Sequence, residues 1–239
     1  MATADDVRAA LAELADPDDA VHLQRFFKTG PGEYGEGDVF IGVRVPATRS
    51  VVKRFRGAPP AGLTLDEIDG LLDDPVHEHR LAGLLLLVQA YPADPEAVYA
   101  AYLAAVRRGR VNNWDLVDAS AEHVVGPHVR LGRAGLDVLD ALAAASTIWE
   151  RRVGVLATFD FIKHGDVAPT LRLAEALLHD RNDLIQKAVG WMLREAGKRV
   201  SRDALLGFLD AHAGAMGRTA LSYATEHLAP EQRAHYRMV

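Results

Sequence analysis

Apolar side chains recur every three or four residues along most of the 239-residue chain. Leu81, Leu84 and Val88 follow this spacing, and the same pattern returns in residues 171–178. Such spacing places apolar side chains on one face of an α-helix. The alternating pattern of a strand is confined to residues 39–45, which we interpret as a loop entering a helix. The pattern therefore predicts an all-α fold.

A related block of six residues returns five times and opens a longer apolar segment each time. Each block follows an amphipathic segment and a short polar turn. The blocks begin at residues 76, 111, 148, 184 and 215, and are thus 35, 37, 36 and 31 residues apart. A helix pair that repeats at this period is typical of an α-solenoid, in which neighbouring pairs stack into one core. We expect the second helix of each pair to line a concave inner surface.

The repeats predict a single domain covering residues 1–239. Residues 1–45 form an N-terminal helical cap with a Gly-rich segment, and residues 46–239 carry the helical repeats. The Gly-rich segment, residues 29–45, lacks the Gly-Lys-Ser/Thr ending of a phosphate-binding loop. We therefore interpret it as a flexible connector between the cap and the repeats.

Composition excludes several classes of protein. The chain has no cysteine, which excludes disulfide scaffolds, zinc–thiolate sites and thiol catalysis. No apolar run approaches the roughly 20 residues that span a bilayer. The N-terminus is acidic and amphipathic and differs from a secretory signal. We expect a cytoplasmic protein without a membrane partner.

The negative charge of the chain is concentrated at its N-terminal end. Residues 1–40 hold nine acids and three bases, which gives −6 and equals the net charge of the whole chain. Residues 147–202 hold ten bases and seven acids, a local excess of +3. A uniformly basic nucleic-acid-binding coat is thus excluded, whereas a local basic stripe is not.

His77, Glu78 and His79 resemble a metal motif at first sight. Two ligands on one helix share a face when they are three or four residues apart, but His77 and His79 are separated by about 200° around the axis. We therefore predict no metal site here.

Trp114 and Asp118 are four residues apart, so they share one face of a predicted helix. The same helix carries Asp115 near its start, where we interpret it as an acid favoured by the helix dipole. Taken singly, Trp114 also fits a core aromatic, and Asp118 a surface acid or the partner of an arginine.

The other two tryptophans also lie where second helices open or continue. Trp149 stands beside Arg151 and Arg152, and Trp191 lies one repeat further along the chain. The Trp191 helix also bears bases spaced seven and four residues apart, namely Lys187, Arg194 and Lys198. They form a basic stripe, although a solvated face explains any one of them equally well.

With these residues the chain resembles the AlkD-like DNA alkylation repair family, the HEAT-like-repeat DNA glycosylases of bacteria. The resemblance covers nearly the whole chain and is strongest in residues 113–118, 148–152 and 185–195. The turn at residues 42–46 is also similar. Phe26, in place of a tyrosine of some relatives, and the pair Arg44–Val45 depart from the family pattern.

The resemblance implies an α-solenoid of HEAT-like repeats that removes N3- and N7-alkylated purines from double-stranded DNA. It implies that Asp118 is the catalytic carboxylate and that Trp114 and Trp191 flank the sugar and backbone of the lesion. Arg152 and Arg194 match family bases near the phosphates. We place further DNA-binding candidates at Arg44, Trp149, Arg151, Lys187 and Lys198. We expect a monomer that uses no cofactor.

The chemistry of these residue types agrees with such a substrate. An alkylated purine carries a positive charge and leaves as a neutral base, so the glycosidic bond is already weak. The enzyme must stabilise the cationic sugar that remains, which a carboxylate does by preorganised electrostatics and an indole by cation–π attraction.

Two other functions remain open at this point. A non-catalytic solenoid that binds distorted or branched DNA would bind in a salt-sensitive manner without releasing a base. A protein-binding adaptor would show no affinity for DNA even at low salt.

Overall fold

The computed structural model describes residues 2–57 and 62–238. Over these residues the secondary structure consists of 15 α-helices, one 3-10 turn and an isolated parallel bridge between Val39 and Val76. The predicted all-α class is confirmed. The helices divide into two compact units, with the boundary between Ser120 and Ala121. The prediction of a single domain stays a prediction.

The first unit is built around one long helix whose surface is almost entirely buried. Its helices are α1 (Ala4–Ala12), α2 (Pro17–Phe26), α3 (Val45–Arg54), α4 (Leu65–Leu72), α5 (His77–Ala90), α6 (Pro95–Arg107) and α7 (Trp114–Asp118). Helices α1, α3, α4 and α6 all pack against α5. Every residue of α5 from His77 to Leu87 is buried, because neighbours cover the helix on all sides.

The second unit has two long central helices. Its helices are α8 (Ala121–Arg130), α9 (Asp137–Ala143), α10 (Ile148–Lys163), α11 (Ala168–Ala176), α12 (Asp183–Arg199), α13 (Arg202–His212), α14 (Arg218–Ala224) and α15 (Pro230–Met238), with the 3-10 turn at Ala213–Ala215. Helix α10 packs against α8, α9, α11 and α12, and α12 packs in turn against α13 and α14.

The five predicted repeats correspond to five helix pairs. These are α4 with α5, α6 with α7, α9 with α10, α11 with α12, and α13 with α14. The second pair differs from the others because its second helix stops at Asp118. The hydroxyl of Ser120 donates to the carbonyl of Leu116 at 2.6 Å, and its backbone N–H bonds to Val117, three residues back. This local bonding replaces the regular α-helical pattern, and α8 begins afresh at Ala121.

The Gly-rich segment, which we expected to be a flexible connector, is held by many hydrogen bonds. The carboxylate of Glu78 accepts the backbone N–H groups of Ile41, Gly42 and Val43 at 2.8–3.2 Å. Gly42 has φ +87°, and a Cβ there would lie 1.9 Å from the carbonyl oxygen of Asp16. Only glycine fits this approach of the segment to α2. The segment is therefore a fixed part of the first unit.

Candidate functional site

Helix α7 presents one polar face and buries the other. Asn113 begins the helix, and its side-chain oxygen accepts the N–H of Trp114 at 2.9 Å. Leu116 and Val117 are fully buried, whereas Trp114 and Asp118 are partly exposed. The four-residue spacing puts Trp114 and Asp118 on the same face of this single turn. The helix thus brings an indole and a carboxylate together at the surface of the first unit.

An aromatic stack fixes the Trp114 indole. Trp114 stacks on Phe27 with 5.2 Å between ring centroids and an angle of 19°, and meets the edge of Phe26 at 6.0 Å. Phe27 in turn stacks on Phe40 at 5.0 Å. Phe26 is 56% exposed, so the stack runs from the surface into the interior. The orientation of Trp114 is consequently set by Phe26 at the end of α2 and by Phe27 directly after it, and Phe40 of the Gly-rich segment supports Phe27.

Asp118 lies at the C-terminal end of α7, close to Tyr102 of α6. The Tyr102 hydroxyl is fully buried and hydrogen-bonds to Ser120 Oγ at 3.0 Å. Burial raises the pKa of Tyr102 above its usual range, and the negative charge of Asp118 adds to this rise. The hydroxyl therefore stays protonated next to Asp118. The carboxylate of Asp118 is neither sealed in the core nor fully exposed.

A buried network of charged groups lies directly behind α7. His77 donates from Nδ1 to Asp38 at 3.0 Å and from Nε2 to Asp115 at 2.8 Å. Asp38 also accepts Arg80 Nη2 at 2.6 Å and Asn112 Nδ2 at 3.0 Å. We interpreted Asp115 only as an acid in the first turn; it does lie there, and it also contacts His77.

His77 is charged in this arrangement. A carboxylate only accepts hydrogen bonds, so both ring nitrogens must carry a proton when each contacts one. Burial lowers the pKa of His77, but the carboxylates of Asp115 and Asp38 outweigh it and raise the pKa to about 9. Burial likewise raises the pKa of Asp38, yet its contacts with His77 and Arg80 hold the value below its usual range.

This network was not predicted from the sequence, although His77, Asp38 and Asp115 each stood out there for another reason. His77 was weighed only as a metal ligand, and Asp38 was counted only as part of the acidic N-terminal region. Among the described residues, no group of three or more His, Asp or Glu side chains is arranged to hold a metal ion.

Trp191 belongs to a second cluster, in which aromatic rings lie beside cations. Its ring centroid is 6.0 Å from that of Phe159 on α10. Lys163 Nζ and the Arg199 guanidinium lie over the Phe159 ring at 4.7 Å and 5.1 Å. Trp191 is partly exposed, and both cations are exposed. The sequence showed Trp191 but not these neighbours, which become close only when α10 and α12 pack together.

Arg152 and Arg151 hold adjacent helices together in the structure. Arg152 is only 5% exposed and donates from Nη1 to the carbonyl of Leu184 at 2.6 Å. Arg151 pairs with Asp180 at 2.8 Å and donates to two carbonyls of the preceding turn. Trp149, near the start of the same helix, is partly buried. These contacts join α10 to the start of α12.

Most of the other predicted DNA-binding bases have acidic neighbours. Arg194 contacts Glu195 at 3.2 Å and also pairs with Glu226. Lys187 pairs with Asp183 at 2.7 Å, and in the first unit Arg44 donates to Asp19 at 2.7 Å.

Lys198 is exposed, and it lines a cavity of about 420 Å³ together with Arg194, Arg202 and His227.

The fold and the α7 site define a helical-repeat protein that presents an indole and a carboxylate on one short helix. The chain belongs to the DNA alkylation repair enzyme family, whose model matches residues 7–228. The resemblance predicted from the sequence is thereby confirmed. Among the described residues, no helix is long and apolar enough to cross a membrane.

A solved structure supports the fold assignment. It is described as a predicted DNA alkylation repair enzyme from Enterococcus faecalis and is similar to this chain with a TM-score of 0.73 and 20% identity. The match covers 90% of this chain and 97% of that one. None of the curated proteins compared with the chain matches it.

Proposed function

We propose that this protein is a DNA glycosylase that releases positively charged N3- and N7-alkylated purines from duplex DNA. The observation that carries the proposal is the pairing of Trp114 and Asp118 on one face of α7, both partly exposed. Membership of the DNA alkylation repair enzyme family supports DNA as the partner.

The reaction asks little of the protein beyond electrostatics. The bond between C1′ and the purine nitrogen breaks, and its electron pair leaves with the base, which becomes neutral. A positive charge develops on the sugar, and water then adds to C1′ and gives up a proton. In this proposal the carboxylate of Asp118 stabilises the sugar cation, because a preorganised negative charge acts most strongly where positive charge develops.

Trp114 supports the same step. The face of an indole attracts a nearby cation by about 0.5–2 kcal/mol, and each 1.36 kcal/mol changes a rate tenfold. The stack on Phe27 holds this indole in place before substrate arrives. A fixed ring loses little side-chain entropy on binding.

We assign the second unit to contacts with the DNA backbone. Trp191 is the second indole that we assign to the site, and Lys198 is an exposed base seven residues further along α12. Arg194 and Lys187 share their charge with carboxylates, so a phosphate has to compete with those acids. Arg152 is buried between helices, and we propose for it a structural role in addition to any phosphate contact.

The test is release of 7-methylguanine and 3-methyladenine from methylated duplex DNA. Asp118→Asn should lower the single-turnover rate by about 10²–10³-fold, the usual effect of losing one preorganised electrostatic group. Asp66→Asn is the matched control, because Asp66 is an exposed acid at the start of α4. Equal rates for wild type and Asp118→Asn would refute the assigned role.

The same experiment, combined with a DNA-binding assay, distinguishes a glycosylase from a protein that only binds DNA. Salt-sensitive DNA binding without base release, unchanged in Asp118→Asn, would identify a non-catalytic DNA-binding protein.

A further inference from the structure

Helix α7 is too short to hold its own position. It has five residues, and an isolated helix needs about 12–15 residues even to be marginally stable. Its placement therefore depends on contacts with neighbouring elements. Leu116 and Val117 bury one face of the helix in the core. Asp115, near the start of the helix, binds it to His77.

His77 joins this turn to the Gly-rich segment. Its ring bonds to Asp115 of α7 on one side and to Asp38 of the segment on the other. Its faces stack on Phe40 at 4.5 Å and lie against Phe27 at 5.1 Å. Phe27 is also the ring on which Trp114 stacks. The His77 imidazole therefore contacts both Phe27, which holds Trp114, and Asp115, which lies in α7.

The charges around His77 balance. Asp38 and Asp115 each carry −1, while His77 and Arg80 each carry +1, and Arg80 faces His77 across Asp38. Glu78, next in sequence, is engaged with the backbone of Ile41, Gly42 and Val43. A buried set of this kind is stable only while every member keeps its partners.

We propose that His77 is a positioning residue which, as an imidazolium, fixes α7 and thereby holds Trp114 and Asp118 in their working orientation. The catalytic consequence rests on the proposed glycosylase function, whereas the effect on the conformation of α7 does not. Loss of the ring proton removes one donor, and because Asp38 keeps Arg80 and Asn112 as donors, the cost is greatest where the lost donor is the one that faces Asp115. The connection between α7 and the Gly-rich segment then loosens.

A protein with Trp114 as its only tryptophan tests this directly. The double variant Trp149→Phe, Trp191→Phe is titrated from pH 7 to pH 10.5 while its fluorescence is followed. We expect one transition with a midpoint near pH 9, since the pKa of His77 is raised to about 9. The transition should move to lower pH in Asp38→Asn, because that carboxylate contributes to the rise.

The matched control keeps Trp191 instead. Trp114→Phe, Trp149→Phe carries the same tyrosines and undergoes the same pH change, so it reports quenching by ionised tyrosine. We expect no transition near pH 9 in this variant. An equal transition in both proteins, or none in the Trp114 reporter, would overturn the proposal.

Substitution of His77 gives a second test. In His77→Gln the Trp114 emission at pH 7 should resemble that of the wild-type reporter at pH 10, and the transition should disappear. Adding Asp115→Asn to His77→Gln removes the unpaired buried charge and should restore part of the pH 7 emission. Failure of this rescue, with far-UV circular dichroism showing a folded protein, would count against positioning through Asp115.

Kinetics distinguish failure of this inference from failure of the proposed function. We expect His77→Gln to lower the single-turnover rate of base release by about 10–100-fold, as small misplacements of catalytic groups do, while DNA affinity stays within about twofold. A wild-type protein that shows the Trp114 transition but releases no base would refute the glycosylase and leave the positioning role intact. Normal catalysis in His77→Gln would refute the positioning role alone.

Discussion

The two aromatic sites of this protein use charge in opposite ways. Behind Trp114 the charges are buried and balanced, with His77 and Asp38 only 2% and 3% exposed in their side chains. Around Trp191 the cations are exposed although their carboxylate partners are buried, as the 46% exposure of the Arg199 side chain and the 7% exposure of Glu195 illustrate. Buried pairs are costly to break, whereas exposed pairs contribute little to stability. The first arrangement suits the positioning role that we propose for His77, and the second leaves cations at the surface that could contact the phosphates of the proposed DNA substrate.

The largest effect on stability should come from Asp38→Asn. The substitution leaves His77 and Arg80 buried with only Asp115 to balance them, and breaking such a set by removing one member costs about 3–5 kcal/mol. Urea unfolding at pH 7, followed through Trp114 in the single-tryptophan protein, measures the first unit. Asp66→Asn should change the midpoint little, and equal effects of the two substitutions would erase the contrast between buried and exposed charge.

A second prediction concerns pH. The pKa of His77 is raised from 6.5 to about 9 in the folded protein. Its contribution to the free energy of unfolding is therefore fully present below pH 6.5 and is lost as the pH rises through 9. At 1.36 kcal/mol per pKa unit, the free energy of unfolding of the first unit should fall by about 3 kcal/mol between these pH values. The measurement is urea unfolding across this range with Trp114 as the reporter. His77→Gln should flatten the profile, and a profile unchanged by that substitution would show that another group titrates.

Gly42→Ala should have an intermediate effect. Alanine at φ +87° costs about 1–2 kcal/mol in backbone strain, and its Cβ meets the carbonyl oxygen of Asp16. The Gly-rich segment must shift, and with it Asp38, so Trp114 emission should change together with stability. Gly32→Ala is the control, because Gly32 also has positive φ but a methyl group added there would meet no atom within 4 Å. Similar losses in both variants would mean that strain alone, and not the fit against α2, decides the cost.

The helix pairs and the shared face of Trp114 and Asp118 were predictable from the sequence because both depend on local spacing. Three- and four-residue periodicity can be recognised from residues close together in the chain, and the same holds for the relation between positions i and i+4. In the Asp38–His77–Asp115 network, His77 lies 39 positions after Asp38 and 38 positions before Asp115. Nothing in the local sequence around any one of these residues shows its partners. For the same reason the Gly-rich segment was interpreted as flexible, since its anchor Glu78 lies on another element.

The burial of Arg152 also depends on a contact between residues that are far apart in the chain. The family resemblance implies a base near the phosphates at this position, at the start of a helix beside Trp149 and Arg151. Its guanidinium instead bonds to the carbonyl of Leu184 at the start of α12. Which base of a run faces solvent depends on the neighbouring helix, and the run itself does not show how that helix packs.

The smallest effect on stability should come from Lys187→Gln in the second unit. Lys187 and Asp183 are 40% and 59% exposed, and an exposed pair four residues apart on a helix contributes about 0.3–0.5 kcal/mol. Urea unfolding followed through Trp191 as the only tryptophan should therefore change little. If Lys187 contacts a phosphate, the slope of log affinity for DNA against log salt should fall by about one unit in the same variant. A large loss of stability with an unchanged salt slope would assign Lys187 a structural role, and the surface charges around Trp191 would then resemble those behind Trp114.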